Sequence, residues 1–84
     1  MVQTGVDAEP PLSAEERLER FAAQHQLTPR ERDIAGMAAH GEGNKGIAFK
    51  LGISPVTVNV HLGKVYRKTG VTNRTELAGL LARS

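Results

Sequence analysis

The chain of 84 residues has no cysteine, so neither a disulfide framework nor a thiolate metal site can reinforce its fold. That absence fits an intracellular protein. No run approaches the roughly 18 to 20 apolar residues of a membrane span, and the N-terminus lacks the charged-then-apolar pattern of a signal peptide. The expected location is the cytosol. Catalytic signatures are missing too: Gly41 and Gly46 are followed by Ile47, not by the lysine of a phosphate-binding loop. His25, His40 and His61 share no metal-ligand spacing. No enzymatic activity, metal or cofactor is expected from this inventory.

What is present suits one small helical domain. Apolar residues make up 39% of the chain, enough for a thin core. The net charge of +2 conceals an asymmetry. Residues 1–40 hold four arginines against seven acids, a balance of −3, whereas residues 41–84 hold seven lysines and arginines against Glu42 and Glu76, a balance of +5. Local positive charge favours a phosphate-bearing partner.

Residues 1–12, with Gly5, Pro10 and Pro11, read as a disordered tail or linker. Ser13 and Glu16 fit a capping box opening a helix over 13–26, with Leu18, Phe21, Ala22 and His25 on one side. Thr28, Pro29 and Glu31 open a second helix that reaches about Ala39 and buries Ile34, Met37 and Ala38. Asn44 is expected as the N-cap of a short helix over 45–51, whose Ile47, Ala48 and Leu51 turn inward. Gly52 then supplies a left-handed turn, and Ser54-Pro55 starts the next helix. This is a helix-turn-helix pattern.

The helix over 54–69 carries two faces. Val58, Leu62, Val65 and Thr69 follow helical spacing towards a core, while Val56, Asn59, Val60, Gly63 and Arg67 form an acid-free opposite stripe. Such a surface suits base edges in a DNA major groove. Val56, Asn59, Val60 and Gly63 are the expected base readers. Asn can bond adenine N6 and N7 and valine can meet a thymine methyl, so the face leans towards A·T pairs. Asn44, Lys45, Thr57, Lys64, Arg67 and Lys68 are placed to meet phosphates. His61, beside the core stripe, is expected to make an internal hydrogen bond. Asn73 and Glu76 cap a last helix to about Ala82, whose Leu77, Leu80 and Leu81 either seal the core or offer a patch to a second copy.

Thr28-Pro29-Arg30-Glu31-Arg32, Asn44-Lys45, Ile47-Ala48, Leu51-Gly52-Ile53-Ser54, Thr57-Val58, His61-Leu62, Val65-Tyr66-Arg67-Lys68, Gly70-Val71 and Asn73-Arg74-Thr75-Glu76-Leu77 resemble, in order and spacing, the LuxR-type (GerE-like) helix-turn-helix domain of bacterial transcription regulators. The resemblance covers about 27–82 and implies an all-α, four-helix domain over 27–84, here preceded by one additional amphipathic helix. It implies double-stranded DNA as partner and a homodimer formed through the last helix, making Leu77, Leu80 and Leu81 the dimer contact. It also implies that the domain can serve as the effector of a response regulator. Asn59 stands where the family commonly has a basic residue. The competing reading is a protein-interaction helix-turn-helix that pairs with another regulator or with RNA polymerase and reads few bases.

Overall fold

The computed structural model describes residues 12–84. Within them the chain forms five helices, α1 (Ala14–His25), α2 (Pro29–Ala39), α3 (Asn44–Leu51), α4 (Pro55–Thr69) and α5 (Arg74–Arg83), and no strand. The tail expected over 1–12 lies, apart from Leu12, outside the described residues.

Local chemistry sets most of the helix starts. Ser13 and Glu16 close a reciprocal capping box on α1, and Thr28 and Glu31 do the same on α2, where Pro29 has no N–H to leave unpaired. Ser54 Oγ accepts from the Thr57 N–H at 3.0 Å to open α4. Asn73 Oδ1 accepts from the Glu76 N–H at 2.9 Å to open α5. The Glu76 carboxylate reaches one residue further back than a capping box requires, taking the Thr72 N–H at 2.8 Å and hydroxyl at 2.9 Å. Those bonds from Thr72 hold it below the ordinary carboxylate value.

Two helix ends differ from expectation. Gly43, not Asn44, is the N-cap of α3, and no side chain caps that helix. Asn44 is its first residue, and its side-chain oxygen is taken by Arg74 instead. Gln26 ends α1 in the left-handed region at φ 57°, which a side chain with a Cβ adopts only at some cost. Gly52 makes the equivalent turn between α3 and α4 at φ 69° without that cost.

A single apolar core joins the helices. Phe21 from α1, Ile34 from α2, Ile47 from α3, Val58 and Val65 from α4 and Leu77 from α5 are all fully buried in it. α2 is the central element, packing on α1, α3, α4 and α5, while α3 packs on α4. Leu18 of α1 lies over Gly36 of α2, where a Cβ would stand 2.7 Å from Leu18 Cδ2 and oblige that side chain to shift. His25 packs on Phe21 with ring centroids 4.6 Å apart and the planes tilted by 52°, and His40 Nδ1 lies 2.7 Å from the Gly36 carbonyl oxygen. His61 departs from expectation, for its Nδ1 is buried with no hydrogen-bond partner among the described residues.

Candidate nucleic-acid interface

The surface of interest is built by α3, the Gly52-Ile53-Ser54 turn and α4. The turn is fixed by the Ile53 N–H donating to the Ala48 carbonyl at 3.0 Å and by Ile53 packing on the core. Because Val58, Leu62 and Val65 bury one stripe of α4, the rotation of that helix about its axis is decided by the core. The residues of the opposite stripe are thereby turned outward.

Val56 is 73% exposed and Val60 52%, with Asn59 exposed between them. Valines exposed to this degree contribute little to the domain's own core. Gly63 is half-buried, yet a Cβ built there would meet only Arg67 Nη1 at 3.9 Å. The fold itself therefore has no need for glycine at that position.

Lys45, Lys64 and Arg67 are exposed, and none of them takes part in an ion pair among the described residues. Neither α3 nor α4 contains an acidic residue, so these cations meet no opposing charge on their own helices. Thr57 is half-buried, and its hydroxyl lies 2.9 Å from Ser54 Oγ within the cap of α4.

Two expected site residues have other tasks. Lys68 Nζ donates to Glu31 Oε1 at 2.7 Å and to the Gln26 carbonyl at 3.1 Å, so its ammonium ties α4 to the start of α2 with two of its three N–H donors. Burial acts to raise the Glu31 carboxyl, but the Lys68 hydrogen bond and charge, with the bonds from Thr28, outweigh it and hold the group below its ordinary value. Leu77 is fully buried in the core and cannot face a second copy. Leu80 and Leu81 are half-buried at the edge of the same core, and Leu81, Ala78 and Ala82 border a groove among α1, α2 and α5.

Sequence reasoning gave Phe49 and Arg74 no role. Phe49 is 89% exposed on α3, the most exposed large apolar side chain among the described residues. Helical spacing contained that signal, since turning Ile47, Ala48 and Leu51 inward leaves Phe49 outside. Arg74 reaches from α5 to the start of α3, a link between residues 30 apart that no local pattern announces.

No group of three or more His, Cys, Asp or Glu among the described residues is arranged to hold a metal ion. No helix among them is long and apolar enough to cross a membrane.

A turn locked by a left-handed glycine, a helix with one buried stripe and one exposed stripe, and two helices that carry cations and no acid together define a helix-turn-helix domain. Residues 25–81 match the family of bacterial regulatory proteins known as the luxR family, and the chain belongs to that family. It is 53% identical over 51 residues, 61% of this chain and 22% of the relative, to the monoamine regulon transcriptional regulator of Klebsiella aerogenes. It is 49% identical over 55 residues to the transcriptional regulatory protein UhpA of Escherichia coli, covering 66% of this chain and 28% of the relative. With the nitrate/nitrite response regulator protein NarL of Escherichia coli it shares 42% identity over 72 residues, 82% of this chain and 33% of the relative. The chain thus spans a third or less of the length of these three relatives. No solved structure matches it significantly.

Proposed function

We propose that this chain is a double-stranded DNA-binding transcription regulator, or the effector part of one, that reads the major groove with α4 and acts in the cytoplasm as a homodimer. The observation that carries this reading is the outer stripe of α4. Val56, Asn59 and Val60 stand exposed on a helix whose opposite side is fully buried, beside Lys64 and Arg67 and with no acid on the helix. Val56, Asn59, Val60 and Gly63 read bases. Asn44, Lys45, Thr57, Lys64 and Arg67 meet phosphates and set the register. The relatives named above are transcription regulators, which supports a binding role and no enzymatic one.

Dimerisation uses the exposed side of α5, with Leu80 and Leu81 as its apolar contribution. In a two-fold pair the half-sites lie about 10 base pairs apart or a multiple of that.

Phe49 favours a second reading, in which this helix-turn-helix pairs with another regulator or with RNA polymerase. An aromatic ring 89% exposed has no part in reading bases from α4 and suits a protein partner. The two readings separate on selection from a random duplex pool at two salt concentrations. A DNA reader enriches particular sequences and loses affinity as salt rises, with a slope of about −0.9 per phosphate neutralised. Asn59→Ala then relaxes the preference, and Arg67→Ala weakens binding across all sequences. Failure to enrich any duplex at either salt rejects DNA reading in favour of the protein-interaction role.

A further inference from the structure

Arg74 occupies a position where its charge is unfavourable for its own helix. It is the first residue of α5, at the positive end of that helix's dipole, where a cation is destabilising. The side chain leaves that end altogether. Half-buried, it crosses to the connection between α2 and α3, where Nη1 donates to the Glu42 carbonyl at 2.6 Å and Nη2 donates to Asn44 Oδ1. The fork thus grips the residues on both sides of Gly43, the N-cap of α3.

The second bond fixes more than a distance. A guanidinium has donors only, so the amide of Asn44 must present its oxygen to Arg74. Its NH₂ group, with two donors, is then turned to the other side. Free of Arg74, the amide could rotate by half a turn, or Asn44 could slip into the capping role that its type favours. Held by Arg74, it remains the first residue of α3, next in the chain to Lys45, as an oriented donor.

We propose that Arg74 is a positioning residue for DNA binding, acting through Asn44: its guanidinium fixes the polarity of the Asn44 amide and the start of α3 so that the amide NH₂ faces a DNA phosphate. This rests on the proposed DNA reading. Arg74 acts here through Asn44 and not on a phosphate itself, with two of its five N–H donors engaged by the Glu42 carbonyl and Asn44.

The test compares the parent protein with Arg74→Ala, Arg74→Lys, Asn44→Ala and the Arg74→Ala/Asn44→Ala pair. Each is titrated against a duplex recovered from the random pool, at several salt concentrations, with thermal unfolding measured alongside. Arg74→Ala and Asn44→Ala are each expected to weaken binding by about threefold to tenfold, the size of one hydrogen bond. The double variant should be no weaker than the poorer single one, since both changes remove the same contact. The salt slope should stay at the parental value in every variant, as no cation leaves a phosphate. Lysine, which cannot fork, should not restore binding, and this variant carries the test if Arg74→Ala fails to fold. In the folded lysine variant the Asn44 side-chain NH₂ signals, identified in nitrogen–proton spectra by their loss in Asn44→Ala, should move.

Losses that multiply in the double variant, a slope smaller by about 0.9 in Arg74→Ala, or full rescue by lysine would overturn the proposal in favour of a direct phosphate contact or a point charge. Parental binding in all Arg74 variants overturns it while leaving the DNA reading intact. A parent protein that binds no duplex removes both.

Discussion

Lys68 and Glu31, 37 residues apart in the chain, form an ion pair at 2.7 Å in which the carboxylate side chain is 4% exposed and the lysine 36%. Glu31 also completes the capping box of α2, accepting the Thr28 N–H at 2.9 Å. One carboxylate thus starts a helix and fastens the far end of α4 to it. Replacing Lys68 by Met is expected to cost about 2 kcal/mol, less than the loss of a partner in a fully buried pair because water still reaches the lysine side. Urea unfolding measures this, and the sequence preference for DNA should not change. An unchanged stability with a reduced salt slope would restore Lys68 to the phosphate-contacting set.

The same pair sets a pH dependence. The Glu31 carboxyl is lowered on folding, so it contributes stability that is fully present above its ordinary, unfolded value and is lost as pH falls through the lower folded value. Acid titration of stability should therefore show a decline below the ordinary carboxylate range that is smaller in Glu31→Gln. An identical acid limb in that variant would exclude Glu31 as a source.

Gly63 separates folding from binding. It lies within α4 with open space where a Cβ would stand, so Gly63→Ala should stabilise the domain by about 1 kcal/mol through helix propensity. Duplex affinity should fall, because the added methyl group stands off the backbone from the base edges. Raised stability with undiminished affinity would show that DNA does not approach this point of the helix.

The leucines of α5 should divide in two. Leu77→Ala opens a cavity in a filled core and is expected to cost about 2 to 5 kcal/mol. Leu81→Glu, at the half-buried edge, should instead weaken self-association, as seen by sedimentation across a range of concentrations. Parental self-association in that variant would remove Leu81 from the dimer surface.

Gln26 holds a left-handed conformation with a side chain that gains nothing from it. Gln26→Gly keeps the carbonyl that accepts from Lys68 and should be neutral or stabilising by up to about 1 kcal/mol in thermal unfolding. A marked loss would assign the Gln26 side chain a contact of its own.

Features decided by neighbours in the chain were legible in the sequence. The caps of α1, α2, α4 and α5 each depend on residues three apart, and the buried stripe of α4 is a matter of spacing, so both can be read from a string of letters. The outward placement of Val56, Asn59 and Val60 followed from that stripe. Features decided across the chain were not legible. Lys68 had the composition of a phosphate contact until Glu31 arrived from α2. Asn44 had the composition of a cap until Arg74 arrived from α5 and drew its oxygen away. Leu77 could have served core or partner equally well by spacing, and only packing assigned it to the core. Gln26 lacked the glycine that would have announced its turn.

The division of α4 into a buried and a bare stripe bears on how such a domain can diversify. Val58, Leu62 and Val65 keep the helix in place, while Val56, Asn59 and Val60 lie exposed on its other side, outside the core. Under the proposed DNA reading, stability and recognition are thus written on interleaved but different letters. A duplicated gene could drift at the three outer positions, acquire a new target site and never pass through an unfolded ancestor.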